Sequence, residues 1–256
     1  MNLKKIKAEQ LIGKEFMTNV CGKCVVVDYK DCYNVIVRFE NPQYTTRCTA
    51  TNLRNGQVNN PLFPSVYGKG YIGVGKYSPK DKFAHTAWRC MLHRTYGNQQ
   101  SKLNRTYKGV EVCEDWLNFQ NFAEWCYSQL SFNNKDKNGR GFELDKDLLV
   151  KGNKIYSPET CCFAPREINL LLSSNRIRRG KYPIGVTCSK YNKFHASIVK
   201  DWNSKHIGSF DTPEEAFLAY KKAKEVYIKE VAEKWKGKID NRLYQALIDY
   251  EVSIDD

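Results

Sequence analysis

The sequence predicts an α+β protein in three segments. These are a small N-terminal β-barrel-like domain over 1–66, a central mixed α/β module over 67–175, and a C-terminal three-stranded antiparallel sheet packed on a helix over 176–256. Three observations predict this. Short β-branched and aromatic runs fill the first 66 residues, helical spacing dominates the region around 80–126, and three strand-like runs after residue 182 lead into a strongly marked helix start.

In the first segment, Leu11–Phe16, Cys24–Tyr29, Tyr33–Phe39 and Tyr44–Thr49 are separated by Lys30-Asp31 and Asn41-Pro42, with Asn55-Gly56 beyond them. These separators are turn chemistry. A spacing near ten residues per strand suggests an SH3-like barrel. Cys21-Gly22-Lys23-Cys24 has the two-residue spacing of a zinc knuckle or redox pair, but a structural zinc site needs a second ligand pair. Cys32 and Cys48 are not so spaced, so the reading is a hairpin with buried thiols, without zinc.

Gly68, Gly70, Gly73 and Gly75, interleaved with Tyr67, Tyr71 and Tyr77, do not reproduce a phosphate-cradling loop. They read as a flexible joint allowing close backbone approach, including to a nucleic-acid backbone. A helix is expected at 80–95. His85, Arg89 and His93 lie four apart on it and share a face, either to meet phosphates or as a solvated basic surface. Between 69 and 108 nine Lys/Arg stand against the single acid Asp81, with Trp88, Tyr96 and Tyr107 among them. Such a pattern suits tracking of a phosphate backbone, and single strands as well as duplexes. Trp116, Phe119, Phe122, Ala123 and Cys126 recur at helical spacing as core.

Phe142–Leu149 reads as a strand, Gly152-Asn153 as a turn, Tyr156–Glu159 as the start of a further element, and Cys162–Pro165 as the lead into a helix from Arg166. This stretch resembles the HNH homing-endonuclease module, a metal-binding ββα hairpin common in phage genomes. The matching positions are Asp145-Lys146-Asp147, Asn153, Ser157–Cys161 and Asn169. The resemblance implies catalytic positions at Lys146, Asp147 and Asn169, and Mg²⁺ held by Asp145 and Asp147 on one strand face. This chain departs from the family where it matters most, because Lys146 stands where the general-base histidine would be. A lysine flanked by two aspartates is a poor base. Either His85 or His93 folds in to replace it, or Lys146 pairs with phosphate and the module binds without cutting.

Arg176, Arg178 and Arg179 form a basic linker suited to phosphate contacts. Beyond it come Gly185-Val186, Phe194–Val199 and Ile207–Phe210 as strands. Phe194, Ala196 and Ile198 face one side, while Lys193, His195, Ser197 and Val199 face the other. Thr212-Pro213-Glu214-Glu215 is a capping-box helix start, followed by a stripe of Ala216, Ala219, Tyr220, Ala223, Val226 and Tyr227. These residues, with Ile207–Thr212 and Glu214-Glu215-Ala216-x-x-Ala219-Tyr220, resemble the plant Apetala/ethylene-response-factor DNA-binding domain. Phage proteins with HNH modules also carry that domain. The resemblance implies that the open sheet face enters the major groove. Thr187, Ser189, Tyr191, Ser197, Val199 and His206 stand at the outward positions, with Lys190, Lys193 and His195 beside them. The family's usual arginines are absent, so its target sequence does not transfer.

A last amphipathic helix is expected through Ile239, Leu243, Leu247 and Tyr250, then an acidic solubilising tail. The net charge of +13 and pI near 9.2 fit a polyanionic partner. No apolar run approaches ~18 residues, so nothing is expected to span a bilayer. The start has no signal core and the ten cysteines read as reduced thiols, which together suggest a cytoplasmic, non-secreted protein. The expected function is double-stranded DNA binding of phage or mobile-element type by a nuclease-derived protein lacking its base. The alternatives are an active Mg²⁺-dependent HNH-type endonuclease, and a counter-defence factor gripping a host protein.

Overall fold

The computed structural model describes residues 10–97, 107–173, 181–201 and 203–254. The chain forms two compact units, Met1–Cys126 and Tyr127–Asp256. Among the described residues no helix is long and apolar enough to cross a membrane.

In the first unit β1 (Glu15–Met17), β2 (Lys23–Asp31), β3 (Asn34–Glu40) and β4 (Gln43–Cys48) form an antiparallel meander in sequence order. Its buried face carries Cys24, Val26, Val35, Val37 and Phe39, the alternate positions that the pleat directs inward. The barrel expected from strand spacing is not closed. After β4 the chain turns at the Thr49 cap into the short helix α1 (Ala50–Arg54), whose Ala50 and Leu53 cover the apolar face together with Val58. With the helix covering that face, burial does not require closure. Cys21 and Cys24 are buried in this cluster, and burial pushes the Cys24 thiol up to about 11.

Helix α2 (Lys82–Tyr96) starts at Asp81, whose carboxylate accepts the Phe83 N–H. After β5 (Glu111–Val112) and a 3₁₀ turn at Glu114–Leu117 comes α3 (Phe119–Ser128). Trp88, Trp116, Phe119 and Phe122 make the aromatic core here, and the Trp88 indole donates to the Trp116 carbonyl at 2.7 Å. The glycine stretch is not a flexible joint. A methyl group on Gly70 would lie 2.3 Å from Leu92 Cδ1 and 2.8 Å from Trp88, and one on Gly75 would meet Gln120. The close approach predicted for these glycines is thus to the protein's own side chains. Gln120, buried on α3, laces the segment down. Its Nε2 donates to the Ile72 and Tyr77 carbonyls at 3.1 and 2.9 Å, and its Oε1 accepts the Tyr77 N–H at 2.9 Å.

The second unit contains β6 (Glu143–Asp145), β7 (Ile155–Tyr156), β8 (Cys162–Ala164), α4 (Arg166–Leu172), β9 (Val186–Cys188), β10 (Phe194–Lys200), β11 (Asn203–Phe210), α5 (Pro213–Trp235) and α6 (Asn241–Ile248). β6 pairs antiparallel with β8. The C-terminal sheet has the order β11-β10-β9 and packs on α5, as its alternation predicted. The capping box is present: Thr212 Oγ1 accepts the Glu215 N–H, and the Glu215 carboxylate accepts the Thr212 N–H. Ala216, Phe217, Tyr220, Tyr227 and Ile228 are buried, whereas Val226, expected in the stripe, is 53% exposed. Gly185 has φ 77°, and a methyl group there would lie 2.1 Å from the Tyr220 ring, so both conformation and space require glycine.

The far end of α5 is fixed by Glu167 on α4. That carboxylate accepts from Lys234 Nζ and from the Trp235 indole N–H at 2.9 Å, and Trp235 packs edge-on against Phe142. The chain end does not begin as a free acidic tail. Val252 is buried, its N–H donates to Glu225, and its carbonyl accepts from Lys221 Nζ.

Replacing Gln120 by Leu removes its three hydrogen bonds to part-buried backbone groups at Ile72 and Tyr77. It is expected to cost about 2–4 kcal/mol of unfolding free energy. Gly70→Ala is expected to cost about 1–3 kcal/mol by overpacking. Urea unfolding followed by tryptophan fluorescence measures both, and a change under 0.5 kcal/mol in both variants would contradict this packing.

Candidate nucleic-acid interface and the Asp145 turn

The sheet face opposite α5 is built by the pairing register. Thr187 and Ser209 flank His195 on the two neighbouring strands, His206 lies across from Ser197, and Ser204 lies across from Val199. A bulge between Ala196 and Ser197 shifts the β10–β11 register, which sets His206 rather than Ile207 across from Ser197. The His195 and His206 rings meet edge to face at 5.3 Å, and His195 Nδ1 lies 2.7 Å from Ser209 Oγ. On the other face Ala196 and Ile198 are buried. The result is a row of hydrogen-bonding side chains on the face opposite α5, with Thr187, His206 and Ser209 exposed and His195 and Ser197 half-buried.

The β9–β10 turn carries the remaining predicted contacts. Ser189 Oγ accepts the N–H groups of Tyr191 and Lys193, and Asn192 has φ 57°, so Ser189 shapes the turn. Tyr191 is 75% exposed at its tip, with Lys190 Nζ 5.0 Å from the ring centroid. Lys193 is paired with Asp211. Ser204 and Ser209 were missed by sequence reading. β11 begins at Asn203, and Asn203–His206 lacks the alternation that marks a half-buried strand.

The segment 142–169, where a nuclease module was expected, is dominated by an Asx-type turn. β6 ends at Asp145, because its Oδ1 accepts the N–H groups of Asp147 and Leu148 at 2.7 and 3.0 Å. The strand expected over 142–149 therefore stops early, and the alternation that placed Asp145 and Asp147 on one face does not extend to Asp147. Lys146 turns inward and is only 7% exposed. Its ammonium donates to both Asp147 oxygens at 2.8 Å and to the Asn153 carbonyl at 2.7 Å. Asn153 returns the tie, donating to the Lys146 and Ile155 carbonyls and accepting the Ile155 N–H. An ammonium engaged in this way offers no lone pair with which to take a proton from water.

Asn169 on α4 reaches β6, its Nδ2 donating to Glu143 at 3.4 Å, while its Oδ1 is buried without a hydrogen-bond partner among the described residues. Burial, the largest cause, raises the Asp145 carboxyl above its ordinary 3.8. Among the described residues no group of three or more His, Cys, Asp or Glu side chains is placed to hold a metal ion. Asp145 and Asn169 carry hard oxygens of the kind that Mg²⁺ takes.

On α2, Arg89 and His93 are exposed, with His93 against the Tyr67 ring at 5.4 Å. His85 does not join them as a surface group. It packs between Trp88 and Phe119, and burial and then Arg89 lower its pKa. Arg176, Arg178 and Arg179, with Lys102 and Arg105, lie outside the described residues.

No family model matches this chain, and no curated protein or solved structure matches it either.

Lys146→Met removes the donor that closes the turn and leaves the Asn153 carbonyl and the Asp147 carboxylate without it. The expected loss is about 1–3 kcal/mol in urea unfolding, and an unchanged midpoint would refute the tie. Because its folded pKa is raised, Asp145 contributes stability in full below its unfolded value. That contribution is lost as pH rises through the folded value. Asp145→Asn keeps an acceptor for the turn and removes the titration. The wild type should therefore lose stability relative to this variant as pH rises from about 3 to 7, read from unfolding midpoints across that range.

Proposed function

We propose that the C-terminal unit binds double-stranded DNA through the open face of β9–β10–β11, and that the nuclease-like turn serves as scaffold without cutting. The observation that carries this reading is the one-sided sheet. α5 seals one face, while the other presents Thr187, His195, Ser197, His206 and Ser209 in register. Strands ~4.8 Å apart make the β10–β11 pair narrow enough for a major groove ~12 Å wide. Hydroxyl and imidazole groups can meet base edges there, with modest discrimination because no bidentate arginine stands among them. Lys190 and Lys193 at the turn lie beside that face for phosphates, and the net charge of +13 favours any polyanion. Such a protein would act where DNA is, inside the cell, as phage and mobile-element DNA binders do.

The state of Lys146 supports binding over hydrolysis, since the group at the base position is tied into the turn. A second reading, a Mg²⁺-dependent endonuclease, is favoured only by Asn169 Oδ1, partnerless among the described residues.

Fluorescence anisotropy with a labelled duplex between 50 and 200 mM salt tests the first reading. Affinity should fall steeply with salt, and Lys190→Ala/Lys193→Ala should reduce the log–log slope by about 1–2. His195→Ala/His206→Ala should weaken binding with little change in slope. Supercoiled plasmid with Mg²⁺ or Mn²⁺ should remain intact. Nicking that is lost in Asp145→Ala/Asp147→Ala would select the endonuclease instead. No binding at 50 mM salt would overturn both readings and point to a protein partner.

A further inference from the structure

We propose that the cleft between α4, α5 and the free edge of β10 binds a small organic monoanion, a carboxylate carried on an apolar body of single-ring size, with Lys224 taking the carboxylate. The cleft lies wholly within the second unit and encloses about 310 Å³. That is at the lower end of the roughly 300–1,000 Å³ of small-molecule sites. It exists because β9 stops pairing with β10 at Val186 opposite Ala196, one backbone bond from Ser197 to Gly185 lying beyond that point. Past Ser197 this edge of β10 has no partner strand among the described residues. The end of α4 and the docked segment around Tyr250–Val252 wall off the gap.

The chemistry of the walls sets the ligand class. Leu170, Ile184 and Val252 supply an apolar lining, and among the described residues Lys224 is the one charged side chain on it. Lys224 is half-buried on α5 and, among the described residues, has no hydrogen-bond or ion-pair partner. Burial lowers its pKa, with no acid acting on it. The acids nearby in sequence are engaged elsewhere: Glu225 with Lys221 and the Val252 N–H, and Glu230 with Lys200. An unpaired, desolvated ammonium is a cost that a bound anion removes. One cation matches one negative charge. A dianion such as phosphate would bring a second charge that these apolar walls do not meet, whereas a hydrocarbon body fills them.

The test uses the full chain titrated with 4-methylbenzoate by calorimetry, with its neutral counterpart 4-methylbenzamide and inorganic phosphate beside it. Saturable binding of the carboxylate is expected, with the amide and phosphate at least about tenfold weaker, the loss expected for a charge-assisted hydrogen bond. Lys224→Met should weaken the carboxylate by a similar factor, while Lys224→Arg keeps it within a few-fold. Leu170→Trp, which fills the cleft and leaves Lys224 in place, should also abolish binding. Unfolding midpoints show that each variant is folded. Equal affinity for acid and amide on the wild type, unchanged affinity in folded Lys224→Met, or no binding of the carboxylate would overturn the proposal.

Discussion

The second unit depends on one helix. α5 runs 23 residues, about 35 Å at 1.5 Å per residue, and its two ends do different work. At the N-terminal end Ala216, Phe217 and Tyr220 bury the apolar face of the sheet, and the capping box fixes where the helix begins. At the C-terminal end Trp235 packs against Phe142 and donates to Glu167, so the helix also carries the β6–β8 hairpin and α4. The same helix buries one face of the sheet, so that Thr187, His195, Ser197, His206 and Ser209 lie on the other. Without that seal the three short strands would have too little buried surface to stand alone.

In the first unit the comparable constraint is polar. A buried glutamine holds a loop by its backbone, and glycines allow that loop to lie against Trp88 and Leu92 with no side chain between. Side-chain amides suit this task because one group both donates and accepts, and can therefore satisfy a loop that has no neighbouring strand.

Much of the fold could be read from the chain, and the reasons are local. Thr212-Pro213-Glu214-Glu215 encodes its own helix start, and the alternation in Phe194–Val199 divides buried from open positions without reference to anything distant. What escaped depends on contacts far apart in sequence. Gly70 and Gly75 carry no sign of the residues that press on them, so close packing looked like flexibility. The open meander could not be told from a barrel, because strand spacing does not say whether a helix will cover the remaining face. At the candidate sites, His195 and Ser197 were legible from strand parity. Ser209 and Ser204 were not, since their placement rests on a bulge and on a strand longer than its apolar run. Lys146 was expected at a general-base position, but its burial and its tie to Asn153 arise from the turn that Asp145 creates and carry no mark in the sequence. Asn169 was named from the sequence, but the burial of its oxygen and the Lys224 cleft have no sequence signature, because each is defined by what surrounds it.

Arg242 on α6 bears on how such a chain can be rearranged. Its guanidinium donates to the carbonyls of Pro158, Glu159 and Cys161, more than eighty positions earlier, while Asp240 holds it from the other side. The last helix thus fastens the loop between β7 and β8, within the β6–β8 hairpin. A crossover placed between the hairpin and the sheet would separate a clasp from the loop it fastens. Inheritance by exchange of segments should therefore move residues 127–254 as one block, however much the hairpin and the sheet look like separable cassettes.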